Sequence, residues 1–183
     1  DGDGFLSEAE RDADRVLSSA KYFADLRYDR FFGEKNSLYL LGGALNDRFS
    51  GYTLRTHEQF GYSRLLLKSE STSLVVEVGV DYAQEKFIPE IDPRYQDVVA
   101  GRLMSGFSHT FNDAVSFTET IEVYENLLDT EDLRLLNSAA ITAKLSGALS
   151  LKLSNDLTFD NQPVEGFRPL DVNTSITIVA TLL

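Results

Sequence analysis

From Leu74 the chain reads LVVEVGVDY, and alternate residues of that run differ in character. Leu74, Val76, Val78, Val80 and Tyr82 share one side, and Val75, Glu77, Gly79 and Asp81 share the other. Only an extended strand sends successive side chains to opposite faces, so a period of two excludes a helix here. The pattern returns further on. Leu149, Leu151, Leu153, Leu157 and Phe159 oppose Ser150, Lys152, Ser154, Asp156 and Thr158, with Asn155 a polar intruder on the apolar side. Val115, Phe117, Ile121 and Val123 oppose Ser116, Thr118, Thr120 and Glu122, with Glu119 the intruder. Near the end, Val172, Thr174, Ile176, Ile178, Ala180 and Leu182 fall on one face. A helical period of 3.6 is found only near residues 7–18, where it is short and charged.

The pattern predicts an all-β chain of about nine strands. They fall near residues 16–32, 37–46, 52–67, 72–85, 96–111, 114–126, 132–146, 148–160 and 171–183. Many exceed the roughly 5–6 residues usual in soluble sheets. They reach the roughly 9–11 that a tilted strand needs to cross a bilayer. Short connections at 33–36, 69–71, 112–113 and 146–148 alternate with long ones at 46–52, 86–95, 126–132 and 161–170. Such alternation is expected of an up-and-down meander with unlike ends. Outer-membrane barrels have short periplasmic turns and longer external loops. A soluble ligand-binding barrel of the lipocalin kind also alternates, but with its apolar face inward. Periodicity does not say which face is inside.

Three features favour an antiparallel up-and-down transmembrane β-barrel in the outer membrane. The strands are long, and the polar face mixes charges of both signs. Aromatic residues cluster near strand ends, as interfacial girdles do: Tyr22, Tyr28, Phe31, Phe32, Tyr39, Tyr62, Tyr82, Phe107, Phe111, Tyr124 and Phe159. Composition agrees. The 183 residues suffice for one domain or one barrel. No apolar run of about 18 residues offers a transmembrane helix. A net charge of −12 gives no basic footprint, so nucleic acid is not an expected partner. Without cysteine there is neither a disulfide nor a thiolate metal site.

The opening DGDGFLSEAE fits most of an EF-hand loop. With Asp3 at the fifth position, Asp1 is third, Gly4 sixth and Leu6 eighth. Phe5 offers its carbonyl at the seventh, Ser7 is ninth and Glu10 is the bidentate twelfth. The first ligand would precede Asp1. Asp1, Asp3, Phe5, Ser7 and Glu10 are therefore candidate Ca²⁺ ligands, and an ordinary acidic surface turn is the competing reading. Counting strands back from the C-terminus puts this segment on the long-loop side. Residues 1–14 are then an acidic external loop and 15–183 the barrel. An even-stranded barrel with both ends in the periplasm requires an odd number of further strands upstream, about 10–12 in all.

The stretch RYDRFFGEKNSLYLLGGALNDRFSGYTLRTHEQFGY resembles a family of salt-induced outer-membrane proteins, a domain of unknown function. The cues are Arg27 to Phe32, Asp47-Arg48-Phe49, Arg55 and Gly61-Tyr62. The tail, with its proline-containing loop and a Thr-rich strand opened by Asp171, is similar to that family as well. The resemblance implies an outer-membrane barrel with further strands at its N-terminus.

Phasing the strands puts Arg27, Arg55, Glu77, Asp81, Glu122, Arg134, Lys144, Lys152 and Asp156 on polar faces, as candidate lumen-lining residues. Such charges either line a path for ions or small solutes, or lock together and fill it. Strand number decides between the two, because diameter grows with it. His57 and His109 lack metal-ligand spacing and read as polar lining. No G-x-S-x-G elbow or catalytic triad can be assembled, so no enzymatic activity is expected. The expected function is a narrow pore with an external calcium-binding loop. The alternative is a non-conducting barrel that contacts lipid or a protein partner through its external loops.

Overall fold

The computed structural model describes residues 21–48, 51–89, 92–163 and 166–180. The acidic segment 1–14, with all five candidate calcium ligands, lies outside the described residues. Those residues form one antiparallel sheet of nine strands in the order of the chain. The strands are β1 (Lys21–Phe31), β2 (Asn36–Asp47), β3 (Tyr52–Lys68), β4 (Thr72–Phe87), β5 (Tyr95–Thr110), β6 (Val115–Asn126), β7 (Leu133–Lys144), β8 (Leu149–Asp160) and β9 (Leu170–Ala180). The expected strands match these within two residues at every end that falls among the described residues, while the expected start near 16 and end near 183 lie outside them. No pairing joins β1 to β9 among the described residues, so the sheet is open.

Side-chain chemistry closes the short turns. The Asn112 carboxamide oxygen accepts from the backbone N–H groups of Ala114 and Val115, at 2.9 and 3.0 Å. Ser146 does the same for Ala148 and Leu149, and Ser69 accepts from the Thr72 N–H. These residues favour turns because they satisfy nearby backbone donors. At the β1–β2 turn Gly33 takes φ 81°, a left-handed conformation that a side chain disfavours.

The sheet curls. Arg27 on β1 bonds Glu77 on β4, Tyr39 on β2 accepts from Arg102 on β5, and Glu85 on β4 accepts from Arg134 on β7. Each pair stands three strands apart, about 14 Å on a flat sheet. Contact at that separation is natural on the inside of a curve. Register shifts at Leu45/Asp47, Tyr52/Leu54 and Leu65/Leu67 add to the bending.

The inside of the curve is the polar face. Asp81 is 1% exposed and Glu85 2%, while Leu26, Leu103 and Ile176 on the outside are 80%, 60% and 73% exposed. The apolar core on the inner side is small: Ala83, Val98 and Ala100, with Tyr124 against them. A water-soluble barrel has the opposite arrangement.

Candidate functional site: a cross-braced charged face

The inner face is organised around Tyr39, 1% exposed. Register aligns Tyr39 with Gly61 on β3, and Gly61 with Gly79 on β4. The phenol lies across both glycines, and a Cβ on either would stand 2.5 Å from its hydroxyl oxygen. Glycine is required here because another group occupies the space of a side chain.

Arg102 meets that hydroxyl from the far side. Its Nη1 donates to Tyr39 at 2.9 Å and to Glu77 at 2.8 Å. Its Nε donates to Glu122 at 2.8 Å and to the Tyr124 hydroxyl at 3.1 Å, and Tyr124 donates to Glu122 at 2.7 Å. Arg27 completes the tier. It donates to the other Glu77 oxygen at 2.7 Å and to Asp29 at 2.8 Å, with its guanidinium 4.4 Å from the Tyr39 ring centroid. A guanidinium offers five donors in a plane and stays charged, so it suits a buried junction between carboxylates and aromatic rings.

A second tier lies nearer the long loops. Glu85 accepts from Arg134 at 2.6 Å, and Arg55 approaches it at 3.3 Å. Arg134 also faces Asp160 at 3.2 Å and Asp132 at 3.4 Å. Between the tiers sit His57, 3.2 Å from Asp25, and the neighbours Gln59 and Asp81. Cavities open inside the curl. One of about 480 Å³ lies among Lys21, Arg55, Arg134, Asp160 and Arg168. A second, about 280 Å³, lies among Asp25, Arg55, His57, Asp81, Arg102 and Glu122.

All nine charged residues singled out in the sequence lie on this inner face. Arg27, Arg55, Glu77, Asp81, Glu122 and Arg134 gather in or between the tiers. Lys144, Lys152 and Asp156 stand apart on β7 and β8, with Asp156 bonded to Ser138 at 2.6 Å. Sequence reasoning missed Arg102, Glu85, Tyr39, Tyr124 and Gln59. Glu85 shares the phase of Glu77 and Asp81, so its signal was present. Arg102 was hidden because both faces of β5 mix small, apolar and polar residues.

Several aromatic and histidine expectations need correction. Tyr39 and Tyr124 do not belong to an outer girdle, because both point inward and bond Arg102. Phe31 shares the inner phase of Arg27 and Asp29. His109 faces outward rather than lining the interior. It bonds Thr72 at 2.8 Å and lies against Phe107 and Phe111. The outer aromatic cluster at the short-turn end comprises Phe107, Phe111 and Phe117, with Phe32 and Tyr62 further round. The polar intruders on the outer face are partnered sideways. Asn137 donates to Glu119 at 3.1 Å, and Asn155 donates to Thr174 at 2.8 Å.

Among the described residues no group of three or more His, Cys, Asp or Glu is placed to hold a metal. Fold and site together define an all-β antiparallel sheet protein with a charged, cross-braced inner face and an apolar outer one. The chain belongs to the family described as "Protein of unknown function, DUF481", whose model matches residues 4–182. No curated protein matches the chain.

Proposed function

We propose that this chain forms the wall of an outer-membrane β-barrel with a narrow, charge-lined path for ions or small solutes. The observation that carries this reading is the inverted distribution of polarity. Leu26, Leu103 and Ile176 stand exposed on the outer surface, while Glu77, Asp81, Glu85 and Arg102 are buried within the curl. In water the apolar surface is penalised at about 25 cal/mol per Å². Against hydrocarbon that penalty disappears, and paired charges belong inside. Outer-membrane lipid is then the partner of the outer face. The cavities beside the two tiers support a wet interior.

The tiers also favour a second reading. Side chains that tie strands three apart occupy the interior, and in a barrel of about ten strands they fill it. Such a barrel is silent and works through its external loops, by contact with lipid or a protein partner. In either case the acidic segment with Asp1, Asp3, Phe5, Ser7 and Glu10 is proposed to bind Ca²⁺ outside the barrel.

Planar-bilayer recording of the complete chain tests the pore. Discrete conductance steps are the expected result. An inserted, heat-resistant but silent protein sinks the pore and leaves the braced barrel. A protein that stays monomeric and folded without detergent sinks both membrane readings.

A further inference from the structure

The braced face carries more negative charge than its arginines neutralise. In the first tier Arg27 and Arg102 face Asp29, Glu77 and Glu122. In the second, Arg55 and Arg134 face Glu85, Asp132 and Asp160. Each tier sets two guanidiniums against three carboxylates. Asp81 lies between them, 1% exposed, with no ion pair or hydrogen bond reaching it among the described residues. Its Oδ1 is fully covered and unpartnered. Directly across the β3–β4 ladder is Gln59, 5% exposed. Gln59 spends its amide on the Tyr124 hydroxyl, at 3.3 Å, and leaves its own Oε1 buried and unpartnered.

A buried carboxylate and a buried amide oxygen without donors are costly, because each loses water and gains nothing. Both border the cavity of about 280 Å³, whose wall also carries the cations Lys21, Arg55, Arg102 and Arg134 and the carboxylates Asp25 and Glu122. Arg102 and Arg134 are committed to the carboxylates of the two tiers. We infer that Asp81 and Gln59 form a binding point for a partly hydrated monovalent cation of the sodium or potassium class, inside the curl between the two tiers. The chemistry is that of a hard cation, which takes oxygen ligands. One carboxylate and one amide oxygen supply a single charge. A calcium ion gathers about 6–8 oxygens, usually from several carboxylates, so this pair suits the smaller charge. The inference deepens the pore reading by naming the ion class its interior prefers, and it rests on that reading only for passage, not for binding.

The test uses the complete protein refolded in detergent, melted in choline chloride, sodium chloride and potassium chloride at equal ionic strength. The wild type is expected to melt higher in sodium or potassium chloride, by a shift that saturates with concentration. Asp81→Asn keeps the shape of the side chain and is expected to melt alike in all three salts. Gln59→Met, which removes the amide oxygen, is expected to weaken the shift, and it carries the test if Asp81→Asn does not fold. Equal melting of the wild type in the three salts overturns the proposal, as does a full shift retained in both variants. Bilayer recording separates the two claims. A salt-specific shift in a silent barrel supports the cation site and sinks the pore, whereas conductance without that shift sinks the site alone.

Discussion

A methyl group placed on Gly79 would stand 2.5 Å from the hydroxyl oxygen of Tyr39. The same methyl would meet the Phe60 carbonyl oxygen at 2.7 Å, and that atom belongs to the backbone and cannot swing aside. The bare backbone of β4 and the buried phenol are therefore one packing unit. Gly79→Ala is expected to destabilise the folded protein by about 1–3 kcal/mol, the usual cost of overpacking. Tyr39→Phe removes only the hydroxyl that accepts from Arg102, and is expected to cost about 1 kcal/mol. Urea unfolding in detergent, followed by tyrosine fluorescence or circular dichroism, ranks the two.

Glu77 accepts from Arg27 on both oxygens and from Arg102 on Oε2. Glu77→Gln removes the shared charge and leaves two guanidiniums side by side. The expected loss is roughly 3–5 kcal/mol, as for a buried pair broken on one side. Replacing Arg102 as well, in Glu77→Leu with Arg102→Met, is expected to recover part of it, because the guanidinium stranded at the centre is gone, Arg27 keeps Asp29 and Glu122 keeps the Tyr124 hydroxyl. A double-mutant cycle on unfolding midpoints reads the recovery directly.

Val78 stands on the outer face, 53% exposed, near the middle of β4. If hydrocarbon covers that face, Val78→Lys costs roughly 2–4 kcal/mol in a bilayer. A water-covered face tolerates it within about 0.5 kcal/mol. Gln84→Lys lies on the same face nearer the long loops and is expected to cost about 0–1 kcal/mol. Refolding both variants into lipid vesicles gives the depth dependence. Equal, small effects would refute a lipid-facing surface.

The acidic opening segment makes its own prediction. In the complete protein, Ca²⁺ is expected to slow cleavage by a protease within residues 1–14, and Glu10→Gln is expected to abolish that protection. Protection unchanged in the variant would assign the segment to ordinary acidic surface.

The strands were legible because their signal is local. Val76, Val78 and Val80 against Glu77, Gly79 and Asp81 fix the phase of β4 with no knowledge of its neighbours. The inner placement of Glu77 and Asp81 follows from that phase once the direction of curl is known, and the curl is a property of the sheet rather than of any segment. The braces were not legible, since they join side chains brought together by register. Nothing in the sequence around Tyr39 says that Gly61 and Gly79 will lie beneath it. Read alone it looks like an aromatic near a strand end. Arg102 was obscured in the same way: its partners Glu77, Glu122 and Tyr39 come from three other strands, and its own strand has no clean alternation.

Among the described residues every strand pairs only with those next to it in the chain. Assembly can therefore proceed by adding one strand at a time, each needing a loop of few residues to close. The braces run on a longer clock. Arg27 waits for the fourth strand to bring Glu77, and Arg134 must reach back from the seventh to find Glu85 on the fourth. The fourth to seventh strands are thus each checked against one three places back and already in place. A slipped register would strand a guanidinium opposite apolar or like-charged neighbours, giving the growing sheet a proofreading step that a ladder of backbone hydrogen bonds alone does not provide.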